Sequence, residues 1–410
     1  MNELNGLPKQ IKRIKVFKER DEAGVLTHSA NYHYQPLLEK CFISLTMQRE
    51  DLSGYSSGAL HPIFLQNLPE GFNRRFIADK LARYAKVNDM YLLALQGNQG
   101  IGCLAYASDL TLPDVAPLSI QEIVKYDQPK ALFPELLEKY YLRNALSGVQ
   151  PKVAIHATSK GETGRTVEQK DIIVKTSDSD FPLLTVNEYV CMEAARFCGL
   201  NVPKTYLSDN LEHYIVERFD YDQNGHKLGY EDFVTLLKKP NDPDAKYLGS
   251  YETLLKATSL FTKSNEQVVT MYKLIVFNCL IGNGDAHLKN FALQYTPDMK
   301  NVFVSPLFDV THTLIYESID NNMALKLEKS KQFPDKRMLM NLAQHGNYKI
   351  KDAGLIIDTL AQGIMDYLER CNELVLFPGL KMSIEQSVSN VLRQQATSAP
   401  YRHDKKPKYP

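Results

Sequence analysis

The sequence predicts an α+β protein with a β-rich first half and a mainly helical second half. Two patterns carry this expectation. Apolar and polar residues alternate around turn residues over 10–46, the period-2 pattern of half-buried strands, and short strand-like runs recur within 152–177 and 213–220. After Asp222 the spacing changes to three and four, and over 265–281 the residues Val268, Val269, Tyr272, Ile275, Val276, Cys279 and Leu280 fall on one side of a helix. A chain of 410 residues also calls for two or three packed units rather than one simple core.

Taken in order, YLLALQ and GNQGIGCLAYAS (91–108) read as two strands joined by a glycine turn. Between the first strands and these, RRFIADKLARY (74–84) has helical spacing, with Phe76, Ile77, Leu81 and Tyr84 on the side that would cover a sheet. A polar, proline-containing passage over 112–130 comes next. KVAIHAT (152–158), DIIVKTS (171–177), a helix over 185–198 and HYIVERFD (213–220) then read as a small antiparallel sheet with one helix. The expected units are 1–110, 111–221 and 222–398, followed by a basic tail, 399–410, whose composition predicts disorder.

The apolar fraction of 44% and charged fraction of 23% are ordinary for a globular protein and exclude fibrous and disordered classes. Lys+Arg and Asp+Glu balance at 48 each, so nucleic-acid contact would need a local patch or a partner. Two basic runs, KQIKRIKVFK (9–18) and KKPK (405–408), are such patches, although runs of this kind are usually solvated faces. The six cysteines form no C-x-x-C pair and read as reduced core thiols. The first residues show no apolar leader and no run of 18 apolar residues occurs, which predicts a cytoplasmic protein.

The chemistry-bearing stretch is LIGNGDAHLKNFAL (280–293), where polar groups stand between apolar runs. Buried carboxylates and amides are costly unless paired, so this loop needs an internal network or a ligand. Asp285 and Asn290 have the D-x-x-x-x-N spacing of a phosphoryl-transfer loop, and Asp309 follows in VSPLFDV. Such a reaction needs a carboxylate to orient the attacking hydroxyl, and an amide with a second carboxylate to hold Mg²⁺. His287 and Lys289 add polar or positive groups beside them. Alone, the spacing is a weak signal and better fits a turn in which Asp285 caps nearby backbone. Lys175 in DIIVKTS projects from a strand that should be buried, as a phosphate-binding lysine requires, with Glu188 or Glu193 as its ion-pair partner. IVERF (215–219) reads as a strand running into an interlobe connection whose backbone can meet an adenine edge. Ser147, Gly148 and Gln150 stand at a helix–strand junction where a glycine loop could cradle phosphates.

In this order, SGVQPK, IIVKTS, VNEYVCMEAA, IVERFD, YEDF, LIGNGDAHLKNF and SPLFDV resemble the HipA family, the kinase toxins of bacterial type II toxin–antitoxin modules. LQNLPEGF and GNQGIGCLAY resemble that family's N-terminal subdomain, so the likeness spans nearly the whole chain. The resemblance implies a bilobed protein-kinase-like fold, with a β-rich N-lobe carrying the extra subdomain and a helical C-lobe. It implies a serine/threonine-protein kinase using ATP and Mg²⁺, with Asp285 as catalytic aspartate and Asn290 and Asp309 as metal ligands. For the nucleotide it implies Ser147, Gly148, Val149, Gln150 and Lys152 of the phosphate loop, Lys175, the backbone of Glu217 and Phe219, and His287. The implied partners are a helix-turn-helix antitoxin, operator DNA through that antitoxin, and a protein substrate such as an aminoacyl-tRNA synthetase. Two positions depart from the family pattern. Ala145 replaces the leading serine of the phosphate loop, which leaves Ser147 as the autophosphorylation candidate, and Tyr230 stands where the family often has Gln. The competing readings are a small-molecule phosphotransferase, which shares the Gly-Asp and Asn spacing, and a non-catalytic corepressor bridging antitoxin and DNA. A metal-hydrolase set of Asp285, His287 and His312 lacks further ligands at suitable spacing.

Overall fold

The computed structural model describes residues 6–37, 42–47, 54–112, 115–128, 130–143, 150–160, 167–177 and 180–393. The N-terminal unit is an antiparallel sheet with the spatial order Tyr55–Ser57, Tyr32–Pro36, Asp21–His28, Arg13–Lys18, Leu104–Ala107. Alternation along Arg13–Lys18 sends Ile14 and Val16 inward, where they join Leu26, Tyr34, Phe64 and Leu93 in one core, while Arg13 and Lys15 stay exposed. The helix expected over 74–84 forms as Gly71–Leu81.

YLLALQ corrects the expectation. It belongs to the helix Asp89–Gln96, capped by the Asn88 side chain, and every residue from Met90 to Gln96 is buried. Burial on all sides erases the periodicity by which a helix and a strand are told apart in sequence. Only the second half of the expected hairpin is a strand, Leu104–Ala107.

The second sheet has the order Leu118–Ser119, Lys152–Lys160, Val167–Thr176, His213–Glu217, Thr205–Leu207. The three expected strands pair antiparallel, and the additional edge strand Leu118–Ser119 runs parallel to its neighbour. Ile172, Val174 and Ile215 pack on one face with Leu132, Leu136 and Tyr140 of the helix Leu132–Tyr140. Ile173, Tyr214 and Val216 pack on the other with Val186 and Val190 of the helix Leu184–Phe197. Lys175 shares the face of Ile173, so the period of two directs it toward that helix and the cleft below it.

The second half is built on the helix Asn265–Ile281, whose bounds match the expected ones. It is buried on nearly all sides, as a central helix must be, and is flanked by the helices Tyr251–Thr262, Ala353–Leu368 and Leu380–Leu392. A three-stranded sheet, Gly229–Asp232, Ala292–Tyr295 and Val302–Val304, stands beside the cleft. The whole is a bilobed α+β fold, β-rich above the cleft and helical below it. Among the described residues no helix is long and apolar enough to cross a membrane.

Candidate active site

A cleft of about 740 Å³ separates the two lobes. From the upper sheet, the Lys175 Nζ reaches Glu188 Oε1 at 2.6 Å and Asp309 Oδ1 at 2.5 Å. Burial disfavours the ammonium, but Asp309 and Glu188 outweigh it and hold the lysine charged, above its usual range. Burial likewise opposes the Asp309 carboxylate, yet Lys175 and then Lys152 hold its pKa well below the ordinary value. Glu188 is pushed up by burial, with Lys175 opposing. Of the two glutamates the sequence offered, Glu193 instead binds Arg196 and accepts from Thr205 Oγ1 at 2.6 Å. Five residues of α-helix place it on the opposite side from Glu188.

From the lower lobe, the long helix ends at Gly282, in the left-handed region at φ 76, and the loop that follows is self-supporting. Asn283 Nδ2 donates to Asn278 Oδ1 at 2.7 Å, and Asn283 Oδ1 accepts from the Asp285 N–H at 3.1 Å. The Gly284 N–H donates to Thr313 Oγ1 at 2.8 Å, and the His287 N–H donates to the Asp285 carbonyl at 2.7 Å. The Asn283 side chain and the amides of Gly284, Asp285 and His287 are thus satisfied within the loop and by the adjoining Asn278 and Thr313. The Asp285 carboxylate is left over, open to the water of the cleft but walled by protein elsewhere. That partial desolvation, with Asp309 adding to it and Lys246 opposing, pushes its pKa up to about 6. His287 is buried, and burial followed by Lys246 lowers its pKa to about 3, so the imidazole is neutral.

Asn290 Nδ2 donates to Asp309 Oδ2 at 3.1 Å, joining the two expected metal ligands. Asp309 itself adopts φ 59, unusual for a non-glycine residue and costly enough to need support from its surroundings. Two buried side-chain atoms here, Asn290 Oδ1 and His287 Nδ1, have no hydrogen-bond partner among the described residues. An amide oxygen and a carboxylate side by side suit Mg²⁺, which takes one or two protein oxygens and completes its shell with water and phosphate. The residues present thus fit that ion. Among the described residues no group of three or more His, Cys, Asp or Glu side chains could hold a metal by itself. His312 is fully buried, its ring nitrogens 2.6 Å from the Ile281 carbonyl and from Ser383 Oγ, so it is a core residue and not a ligand.

Of the phosphate loop, Ser147, Gly148 and Val149 lie outside the described residues. Gln150 and Lys152 line the cleft, and Gln150 Nε2 donates to the Thr176 carbonyl at 3.1 Å. Burial, with Lys175 adding repulsion, lowers the Lys152 pKa. At the interlobe connection the Glu217 N–H donates to the Lys204 carbonyl at 2.9 Å, and the Phe219 carbonyl accepts from Gln294 Nε2 at 2.9 Å. Those two backbone groups are engaged by protein. The sequence reading names Phe219 for its backbone and Tyr230 as a departure from the family pattern, but not Phe308 or the aromatic wall that the three side chains form. Phe219 stacks on Phe308 at 5.1 Å between centroids, and Tyr230 leans on both, at 6.4 and 6.5 Å. Phe308 was findable as the neighbour of Asp309, whereas Tyr230 becomes a cleft residue only when its strand pairs with Ala292–Tyr295. Lys246 and Tyr247, also missed, stand beside His287, with the Tyr247 ring 5.6 Å from the imidazole.

Residues 144–368 match the HipA-like C-terminal domain, and residues 14–107 match the HipA N-terminal domain. The chain belongs to the HipA family of kinase toxins. It is 28% identical over 325 residues to Y4dM of Sinorhizobium fredii, named as a candidate kinase, covering 74% of each chain. It is 24% identical over 305 residues to the serine/threonine-protein kinase toxin HipA of Shewanella oneidensis, covering 68% of this chain and 69% of that protein. A solved chain from the Shewanella oneidensis complex of HipA, HipB and operator DNA superposes with a TM-score of 0.65 at 18% identity, covering 92% of this chain and 96% of the other. That likeness is one of fold, and it extends across both lobes and the N-terminal unit of this HipA-family chain.

Proposed function

We propose that this HipA-family chain is an ATP-dependent serine/threonine-protein kinase and the toxin of a type II toxin–antitoxin module. The observation that carries the reading is Lys175, held between Glu188 and Asp309 above a cleft whose floor presents Asp285 and Asn290. A fully paired, buried lysine facing a free carboxylate across a nucleotide-sized cleft is what phosphoryl transfer needs and what a scaffold protein does not. Lys175 and Lys152 bind phosphate oxygens, while Phe219, Tyr230 and Phe308 pack on the base. Asn290 Oδ1 and the Asp309 carboxylate hold Mg²⁺, which when bound supplies charge neutralisation for the phosphates. Asp285 orients the acceptor hydroxyl and takes its proton as the oxygen bonds to the γ-phosphorus and the bond to the ADP oxygen breaks. Neutral His287 offers its imidazole to the same phosphate group without competing for the proton.

The acceptor in this reading is a seryl or threonyl hydroxyl of a cytoplasmic protein, an aminoacyl-tRNA synthetase being the substrate the family likeness suggests. Neutralisation would come from a DNA-binding antitoxin, consistent with the HipB and operator DNA present in the related complex. Labelled ATP incubated with the purified chain and a cell extract tests the central claim. Transfer to a protein band, abolished by Asp309→Asn with the fold retained, is expected. Equal transfer by Asp309→Asn would overturn the assignment, and label found only on small molecules would favour the phosphotransferase reading.

A further inference from the structure

One short helix start touches both lobes of the cleft from outside the kinase lobes. Glu70 is the N-cap residue of the helix Gly71–Leu81, a position whose side chain commonly bonds the helix's own first amides. Here its carboxylate makes no such bond. It pairs instead with Lys289 Nζ, in the loop between Asp285 and Asn290. One turn on, the buried Asn73 donates from Nδ2 to the Lys152 carbonyl at 3.0 Å, at the start of the upper-lobe strand Lys152–Lys160. Just before the helix, buried Gln66 donates to the Tyr230 carbonyl at 2.8 Å and accepts from the Asp232 N–H at 3.2 Å, fixing this segment to the lower lobe.

From this arrangement we propose that Glu70 and Asn73 are positioning residues, the two ends of a clamp by which the N-terminal unit sets the distance between the catalytic loop and the phosphate-binding strand. The inference rests on the kinase reading above for its kinetic consequence but not for its structural one. The Glu70–Lys289 pair is partly solvated, with side-chain exposures of 36% and 16%, so it contributes little to global stability. Its effect is local. Lys289 adjoins Asn290, and anchoring its ammonium fixes the loop that carries both Asn290 and Asp285. Asn73 acts through the backbone of Lys152, whose ammonium borders Lys175 and Asp309.

The test uses the whole chain in two measurements. In hydrogen exchange without nucleotide, Glu70→Gln should speed exchange of the amides over 285–290 at least threefold while leaving the central helix Asn265–Ile281 unchanged. Steady-state transfer should then show kcat about tenfold lower for Glu70→Gln, a KM for ATP about fivefold higher for Asn73→Ala, and a double variant no worse in kcat/KM than the poorer single one, because a clamp opened at one end is already released. The charge swap Glu70→Lys with Lys289→Glu should restore protection over 285–290. Unchanged exchange in Glu70→Gln, uniformly faster exchange across the chain, or additive losses in the double variant would each overturn the clamp. A wild-type chain that transfers no phosphate would sink the kinase reading and leave the exchange result to judge the clamp.

Discussion

Asp285 has a pKa raised from 3.8 to about 6, and two consequences follow with opposite pH trends. In the proposed role of general base it would act when deprotonated, so kcat/KM should be full above pH 7 and fall as pH drops through about 6. A pH–rate profile flat down to pH 5 would remove Asp285 from that role. For stability, a carboxyl with a higher pKa folded than unfolded binds more protons in the native state between about pH 4 and 6, so rising pH through that window destabilises the fold. Asp285→Asn should therefore raise Tm at pH 7, and the gain should vanish at pH 4. Lys175 makes the converse case. Removing one member of a buried charged set leaves uncompensated charge, so Lys175→Met should cost about 3–5 kcal/mol and weaken ATP binding. Adding Glu188→Gln should recover most of the stability and none of the ATP affinity, read by denaturant titration and calorimetry.

At the scale of elements, the active loop depends on how closely backbones approach at the end of the helix Asn265–Ile281. A Cβ on Gly284 would stand 2.7 Å from the Asn322 carbonyl oxygen, a backbone atom, and from Thr313 Oγ1. Gly284→Ala should displace the loop, costing about 1–3 kcal/mol and far more in turnover, since a shift of about 1 Å in a catalytic group can cost a hundredfold. Comparing denaturation midpoints with kcat separates the two. Gly282 is tied more tightly still. It caps the helix at φ 76, and a side chain would press on the His312 ring 2.7 Å away.

For the whole molecule, the balanced charge of 48 basic and 48 acidic residues bears on partners. Few phosphates can be neutralised by such a surface, and Lys15, in one of the two basic runs, is paired with Glu22 at 2.9 Å. The other run, 405–408, lies outside the described residues. The isolated chain should therefore bind operator DNA weakly and with a shallow salt dependence, acquiring tight binding only with an antitoxin. Tight sequence-specific shifts by the chain alone in a mobility assay would contradict this and revive the bridging-subunit reading.

What could be read from sequence is what neighbouring residues decide. The central helix was legible to its end residues because its spacing and its Gly282 terminus are local. The D-x-x-x-x-N loop, Lys175 on its strand and Asp309 downstream were legible because their chemistry is carried by residue type and spacing. Tertiary structure decided the rest. YLLALQ is a helix because packing on every side, not periodicity, fixed it. Glu188 rather than Glu193 meets Lys175 because of how one helix is turned against one sheet. Asp309 takes its left-handed backbone, and Glu70 and Asn73 reach the cleft, through contacts between segments 79 to 219 residues apart, a separation at which sequence spacing carries no geometric information.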